Sequence, residues 1–323
     1  MAPGSLQFRR IRRKVASPLR GANNGGWLDR LILRLTDDSG RLSYGEVAPL
    51  PGFAVESVEE AARVLQSCEG DLGRLREALA TRSTSLPCLQ AALSMSDAWD
   101  EVRSFRGALP CAGLISEGEG VEIAAQLASL GYPTLKAKIT TGEPGQRIRE
   151  ILAATPAGVK LRLDANGSLA LAEAGNLVAW AMEEPRIEFI EQPLPPGHPG
   201  YAALDPTKVA LDESFLNRAS CSPEARDWRG FLVVKPSLAG DWTELRQYLG
   251  GYPSQKVVFS SALETAVGRQ AGLFLAASLG AIPAVGFDTL GRMETDGWDI
   301  HVRGPMARGR DDIDWEGLWA SLA

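Results

Sequence analysis

Two lysines, Lys136 and Lys138, sit inside a short run of apolar and β-branched residues, 134–139. Side chains alternate along a strand, so both ammonium groups leave the same face. Burying two like charges side by side is costly unless strongly negative groups lie nearby. A solvated edge strand is the plainer alternative. Four later runs end on a charged residue: 160–164 on Asp164, 187–191 on Glu191, 209–212 on Asp212 and 232–235 on Lys235. The spacings are 27 residues (164 to 191), 21 (191 to 212) and 23 (212 to 235), each the length of a strand–helix unit. In a parallel barrel, corresponding positions of successive units converge on the C-terminal rim, where such enzymes place their chemistry. One aspartate at a strand end is ordinarily a cap or a turn residue. Three acids from three successive strands point instead to a site.

Three gathered carboxylates repel one another unless a cation sits among them. Oxygen-only ligands select a hard divalent ion, Mg2+ in the usual case. The chain has only two histidines, His198 and His301, both in loop or tail contexts. That disfavours zinc, a Ser-His-Asp triad and histidine acid–base catalysis. Lys136 and Lys138 approach the carboxylates from one side and Lys235 from the other. The set suits removal of a carbon-bound proton next to a carboxylate, which yields an enediolate whose charge a divalent ion stabilises. A lysine serves as base when its pKa is depressed, and the neighbouring ammonium of the 136/138 pair supplies a depressing charge. Arg162 shares a face with Asp164 and is expected to point inward, toward a carboxylate or Lys136.

These residues need a large scaffold, and 323 residues suffice for two domains or one barrel with an addition. The apolar content of 45% and charged content of 23% are ordinary for a soluble globular protein. A net charge of -6 leaves no basic patch and argues against nucleic acid as a partner. No apolar run reaches the ~18 residues that span a membrane. The basic segment Arg9, Arg10, Arg12, Arg13, Lys14 lacks the apolar core of a secretory signal. Cys68, Cys88, Cys111 and Cys221 are scattered without clustering, as expected of reduced thiols in a cytoplasmic protein. Nothing in the sequence specifies an oligomeric state.

The pattern divides near residue 105. Before it, strands at 5–15, 27–35 and 41–47 form a meander, and helices follow near 55–68, 71–81 and 87–103, an α+β unit. Between them lies 48–53, a rigid uncharged loop that either connects or covers a pocket. After it, eight apolar runs (108–114, 134–139, 159–164, 187–191, 208–212, 231–235, 256–260, 284–287) alternate with helices near 119–130, 146–154, 170–183, 241–249 and 264–279. The connections at 195–204 and 222–228 are thin. Eight runs with crossovers, and no glycine-rich first turn, indicate a parallel barrel rather than an open sheet.

The motifs Lys136-Ala-Lys138, Asp164-Ala-Asn166, Glu191-Gln-Pro193, Asp212-Glu-Ser214 and Lys235-Pro236 together resemble the enolase superfamily over essentially the whole chain. The resemblance implies an α/β fold, a (β/α)7β TIM-like barrel over 106–300. It adds an α+β capping domain over 1–105, with a tail, 301–323, returning to the cap. It implies Asp164, Glu191 and Asp212 as Mg2+ ligands, with Mn2+ as a substitute. Residues 45–53, 161–166, 260–264 and 286–290 further resemble the o-succinylbenzoate synthases of menaquinone and phylloquinone biosynthesis. Those enzymes dehydrate 2-succinyl-6-hydroxy-2,4-cyclohexadiene-1-carboxylate, a small-molecule carboxylate. Carried over, Lys138 removes the proton and then protonates the departing hydroxide, while Lys235 stays charged. Leu50, Gly52 and Phe53 would close on the succinyl arm, and Ser260, Ser261 and Gly286 would meet its carboxylate; Arg162 and Asn166 complete the expected substrate contacts. The alternatives are an N-acylamino acid racemase, a dipeptide epimerase or a cycloisomerase of the same superfamily, and, from another class, an inactive barrel acting as a binding protein. The dipeptide enzymes carry a pair of acids where this chain reads Phe287-Asp-Thr-Leu290, with one.

Overall fold

The computed structural model describes residues 4–16, 26–53, 56–81, 86–116, 119–140, 144–216 and 221–322. Strands β1 (Ser5–Lys14), β2 (Trp27–Thr36) and β3 (Leu42–Val47) form an antiparallel sheet in the order β1-β2-β3. Helix α1 (Val58–Ser67) starts at a capping box in which Ser57 and Glu60 satisfy each other's backbone donors. Val55, inside the helix expected from 55, lies outside the described residues. Helix α2 is Leu72–Thr81, and the third expected helix is two, α3 (Pro87–Asp97) and α4 (Trp99–Ser104), which meet at Ala98. Helix α3 lies directly on β3: a Cβ at Gly45 would sit 2.1 Å from the Ala92 carbonyl oxygen, so only glycine permits the approach.

Strands β4 (Ala108–Pro110) and β5 (Ala112–Ile115) divide the first expected run at Cys111. The split has a cause: β4 pairs antiparallel with β12 (Met306–Arg308), while β5 opens the large sheet. That sheet adds β6 (Thr134–Lys138), β7 (Lys160–Asp164), β8 (Ile187–Glu191), β9 (Val209–Leu211), β10 (Phe231–Val234) and β11 (Val257–Phe259). Its seven strands are parallel and in sequence order. Helices α5 (Val121–Ser129), α6 (Pro144–Ala154), α7 (Leu171–Glu183), α8 (Trp242–Leu249) and α9 (Ala266–Ser278) supply the long connections. The two thin connections hold only 3-10 turns, among them Pro199–Ala203 and Pro223–Ala225.

The sheet curls until both edges meet one segment. Val285 bridges Cys111 beside β5, and Gly286 bridges Ser260 beside β11. The bonds are Ala112 N–H to Val285 O at 2.9 Å and Gly286 N–H to Phe259 O at 2.8 Å. The eighth expected run is thus present as these bridges rather than as a strand. Phe189, Ala210, Val233 and Val258 form a buried apolar layer. They lie two residues before Glu191, Asp212, Lys235 and Ser260, and period two puts each on the same face as that residue.

Helix α10 (Trp315–Ser321) lies against the first sheet: Arg9 donates to the Trp319 carbonyl at 2.7 Å, and Arg34 pairs with Glu316 at 3.0 Å. Trp99 stands edge-on to Trp315, with centroids 4.9 Å apart, so the tail is fastened by aromatic packing as well as charge.

Candidate active site

Register brings the charged strand ends to one level. Lys138 is opposite Asp164, Asp164 opposite Glu191, and Glu191 opposite Ala210, two residues before Asp212. The Lys136 ammonium lies 2.9 Å from Asp164 Oδ2 and 2.7 Å from Glu191 Oε1. The Lys235 ammonium is bonded to Asp212. Two lysines thus pair with three carboxylates, leaving one negative charge in excess. Burial alone would lower the Lys136 pKa, but Asp164, Glu191 and Asp212 outweigh it and hold the group above the ordinary lysine range. Carboxylates, not Lys138, dominate the surroundings of Lys136. Burial raises the pKa of Glu191 against the opposing charges of Lys136 and Lys235, and that of Asp212 against Lys235. The Lys138 side chain is half-buried and makes no hydrogen bond or ion pair among the described residues.

Above this floor stands the 49–53 loop. Phe53 packs its ring against Lys235, with Nζ 4.2 Å from the centroid. Leu50 packs against buried Leu28, Leu263 and Met293. Gly52 is exposed with φ +86°, a conformation suited to glycine. Gly286 backs onto Ser260, whose Oγ donates to the Gly286 carbonyl at 3.3 Å. Ser261 is turned elsewhere: its hydroxyl donates to Glu264 at 2.6 Å and accepts from Leu263 N–H at 2.9 Å. Its hydroxyl therefore organises the turn after β11.

Arg162 is fully buried, and its side chain makes no hydrogen bond or ion pair with Asp164, Lys136 or Glu191 among the described residues. A register shift between Leu161 and Arg162 sets it opposite Phe189, and its guanidinium stacks 5.0 Å from that ring. It pairs with Glu188 at 2.7 Å and donates to the Ala284 carbonyl at 2.6 Å. In register it lies opposite Lys136, two residues before the Lys138–Asp164 pair. His198 caps the turn Pro199–Ala203, and His301 pairs with Gln270 at 3.2 Å.

Two residues at the strand ends carry more of the site than their types announced. Gln192, fully buried with φ +41°, accepts from Asp212 N–H at 3.0 Å and Ser214 N–H at 3.1 Å. It thereby ties the end of β8 to the end of β9. Glu213 accepts from Asn166 Nδ2 at 3.1 Å, while its Oε2 is buried without a hydrogen-bond partner among the described residues. Asn166 itself has φ +44° and donates its N–H to Asp164 at 3.1 Å. Among the described residues, no three His, Cys, Asp or Glu side chains stand close enough to hold an ion as they are. The lysine ammonium groups occupy the space between the carboxylates. The donor set still fits a hard cation: Asp164, Glu191 and Asp212 offer only oxygen, and the orphaned Glu213 oxygen adds uncompensated negative character.

A family model described as Enolase C-terminal domain-like matches residues 120–298. The o-succinylbenzoate synthase of Thermosynechococcus vestitus is 36% identical over 302 residues, covering 87% of this chain and 91% of its own. That of Edwardsiella ictaluri is 28% identical over 306 residues, covering 90% and 92%. The crystal structure of o-succinylbenzoate synthase from Thermosynechococcus elongatus BP-1, complexed with Mg in the active site, gives a TM-score of 0.81 at 31% identity. It covers 98% of this chain and 99% of that one. A dipeptide epimerase from Methylococcus capsulatus, with Mg and L-Arg-D-Lys, gives 0.74 at 22% identity over 96% and 98%, a likeness of fold alone.

Proposed function

Because the chain belongs to the enolase superfamily and to its o-succinylbenzoate synthases, we propose that its strand-end lysines and carboxylates carry out that family's syn dehydration. The enzyme is a hydro-lyase: it converts 2-succinyl-6-hydroxy-2,4-cyclohexadiene-1-carboxylate to o-succinylbenzoate on the way to menaquinone or phylloquinone. We further infer that the curled sheet is a closed (β/α)7β barrel with residues 285–286 in place of the eighth strand. On this reading 1–105 is the capping domain, 106–300 the catalytic barrel, and 301–323 a tail returning to the cap. A cytoplasmic location fits the reaction, and no helix among the described residues is long and apolar enough to cross a membrane.

The observation that carries the reading is the level on which Lys138, Asp164 and Glu191 pair across β6, β7 and β8, with Lys235 beside Asp212 under Phe53. Lys138 acts as the base: its neutral amine takes the proton next to the ring carboxylate and leaves an enediolate. The electron pair then returns to the ring, the carbon–oxygen bond breaks, and the Lys138 ammonium protonates the departing hydroxide as water. Lys235, bonded to Asp212, stabilises the negative oxygens and does not transfer a proton. Mg2+ held by Asp164, Glu191 and Asp212, or Mn2+ in its place, would add positive charge at those oxygens. Lys136 holds Asp164 and Glu191 in register. Phe53 and Leu50 cover the succinyl arm, and Ser260, Asn166 and the backbone at Gly286 are its polar contacts.

The epimerase reading uses the same lysines, but one feature weighs against it. Asp288, the acid at the eighth position, is spent: Arg303 takes both its oxygens at 2.6 and 2.9 Å, Tyr132 donates to Oδ1 at 3.0 Å and Leu114 N–H to Oδ2 at 3.0 Å. It has no remaining capacity for a substrate ammonium. Parallel assays with the cyclohexadiene acid, an N-acylamino acid and a dipeptide test the assignment. The expected result is a kcat/KM for dehydration well above that for either epimerisation; the reverse order would replace this reading with the alternative.

A further inference from the structure

Arg30, on β2, is fully buried, and its guanidinium spans two loops that belong to different parts of the chain. One arm, Nη1, donates to the Pro49 carbonyl at 2.8 Å, at the root of the 49–53 loop. The other, Nη2, donates to the Ala262 carbonyl at 3.0 Å and approaches that of Leu263 at 3.4 Å, in the turn after β11. Leu263 has φ +61°, a conformation unusual for a branched side chain, so the turn is held in place rather than relaxed. The neighbouring charge is also shared between the two parts. Glu46 on β3 lies 3.9 Å from Arg30 Nε and accepts from Thr265 N–H at 2.9 Å and Gly268 N–H at 2.9 Å, at the start of α9.

We propose that Arg30 is a positioning residue whose planar fork fixes the separation between the 49–53 loop and the 261–263 turn, and so sets the grip on the substrate's succinyl arm. The proposal rests on the dehydratase reading. Phe53 at one end of this strut touches Lys235, and Ser260 and Ser261 lead into the turn at the other end. Arg30 stands behind both loops without contacting Lys136, Asp164, Glu191, Asp212 or Lys235. Only a fork with two donor arms bonds both sets of carbonyls at once; lysine keeps the charge opposite Glu46 but reaches one set.

The test uses the full chain with Mg2+ and compares wild type with Arg30→Lys. Two ligands are titrated: o-succinylbenzoate, and benzoate, which lacks the arm. The variant should weaken o-succinylbenzoate about tenfold or more and raise KM by a similar factor. Benzoate affinity should not change, and kcat should fall by less than about threefold, the pattern of lost uniform binding. Amide hydrogen exchange without ligand should quicken at Phe53 and Leu263 together and stay unchanged through α9. Equal losses for both ligands, or unchanged exchange at the two loops, would overturn the positioning role. Wild-type enzyme that ignores o-succinylbenzoate would overturn the substrate reading, and the exchange experiment would then still decide the strut. If Arg30→Lys does not fold, Arg30→Gln, which carries one amide donor group and no charge, gives the same comparison.

Discussion

The Lys235 ammonium lies 4.2 Å from the centroid of the Phe53 ring, so a loop that follows the first sheet touches a strand end of the second. A cation against an aromatic face is worth about 0.5–2 kcal/mol, more where water is excluded. Phe53→Ala should therefore raise KM about tenfold and lower kcat less, since most of the lost contact is with the non-reacting arm. Steady-state kinetics at saturating Mg2+ check this. A larger fall in kcat than rise in KM would mean that the ring acts on Lys235 during the reaction.

The carboxylates give a graded prediction. Asp164→Asn, Glu191→Gln and Asp212→Asn should each lower kcat/KM by several orders of magnitude and weaken Mg2+ binding measured by calorimetry. Chelation should abolish activity, and Mg2+ or Mn2+ should restore it. Full activity in excess EDTA, with no metal by elemental analysis, would falsify the metal's role.

Lys136 makes a separate prediction about stability. It is the cation that compensates Glu191, which is almost wholly buried. Lys136→Met should destabilise the metal-free protein by about 3–5 kcal/mol, because removing one partner leaves a buried charge unpaired. Denaturant titrations with and without Mg2+ measure it, and the loss should shrink when Mg2+ is present.

His301 predicts the acid limb of stability. Burial, with Arg269 and Arg310 nearby, pushes its pKa down to about 3. The folded state thus binds fewer protons than the unfolded one between about pH 6.5 and 3, so stability falls as pH falls through that window. The slope is at most about 1.4 kcal/mol per pH unit from this group. His301→Gln, which can still donate to Gln270, should flatten the midpoint-versus-pH curve over that range. An unchanged slope would assign acid unfolding to other groups.

Much of this was legible because period two and a repeating unit length both leave marks in a sequence. Asp164 and Glu191 end their strands where the spacing put them, Asp212 directly follows β9, and Lys138 shares the level of Asp164 and Glu191. Arg162 is buried and touches a carboxylate as expected, but that the carboxylate is Glu188 was not legible, because a register shift cannot be seen in an alternating pattern. The run at 108–114 gave no sign that Cys111 divides two sheets, since both halves are equally apolar. Arg30 and Glu46 fall inside expected strands without any assigned role; partners between Ala262 and Gly268 lie far along the chain. Local pattern shows that a charge is present but not where its partner comes from. Gln192 and Glu213 stood inside quoted motifs without assigned roles, and only their hydrogen bonds distinguish them.

Lys235→Arg separates the two chemistries. It keeps the charge beside Asp212 but cannot act as a base. The variant should retain a detectable fraction of dehydration and lose any racemisation of N-acylamino acids. Deuterium exchange should persist only for the enantiomer facing Lys138, and exchange of both enantiomers would contradict the assignment of faces.

The central claim is that Lys138 is the proton-transferring group of a dehydratase. The most direct measurement follows the cyclohexadiene acid by ultraviolet absorbance with wild-type and Lys138→Ala protein at equal Mg2+ saturation. Wild type should form o-succinylbenzoate, and Lys138→Ala should show no conversion above the uncatalysed rate while still binding o-succinylbenzoate. Conversion by Lys138→Ala at a rate near wild type, or none by wild type itself, would contradict the account.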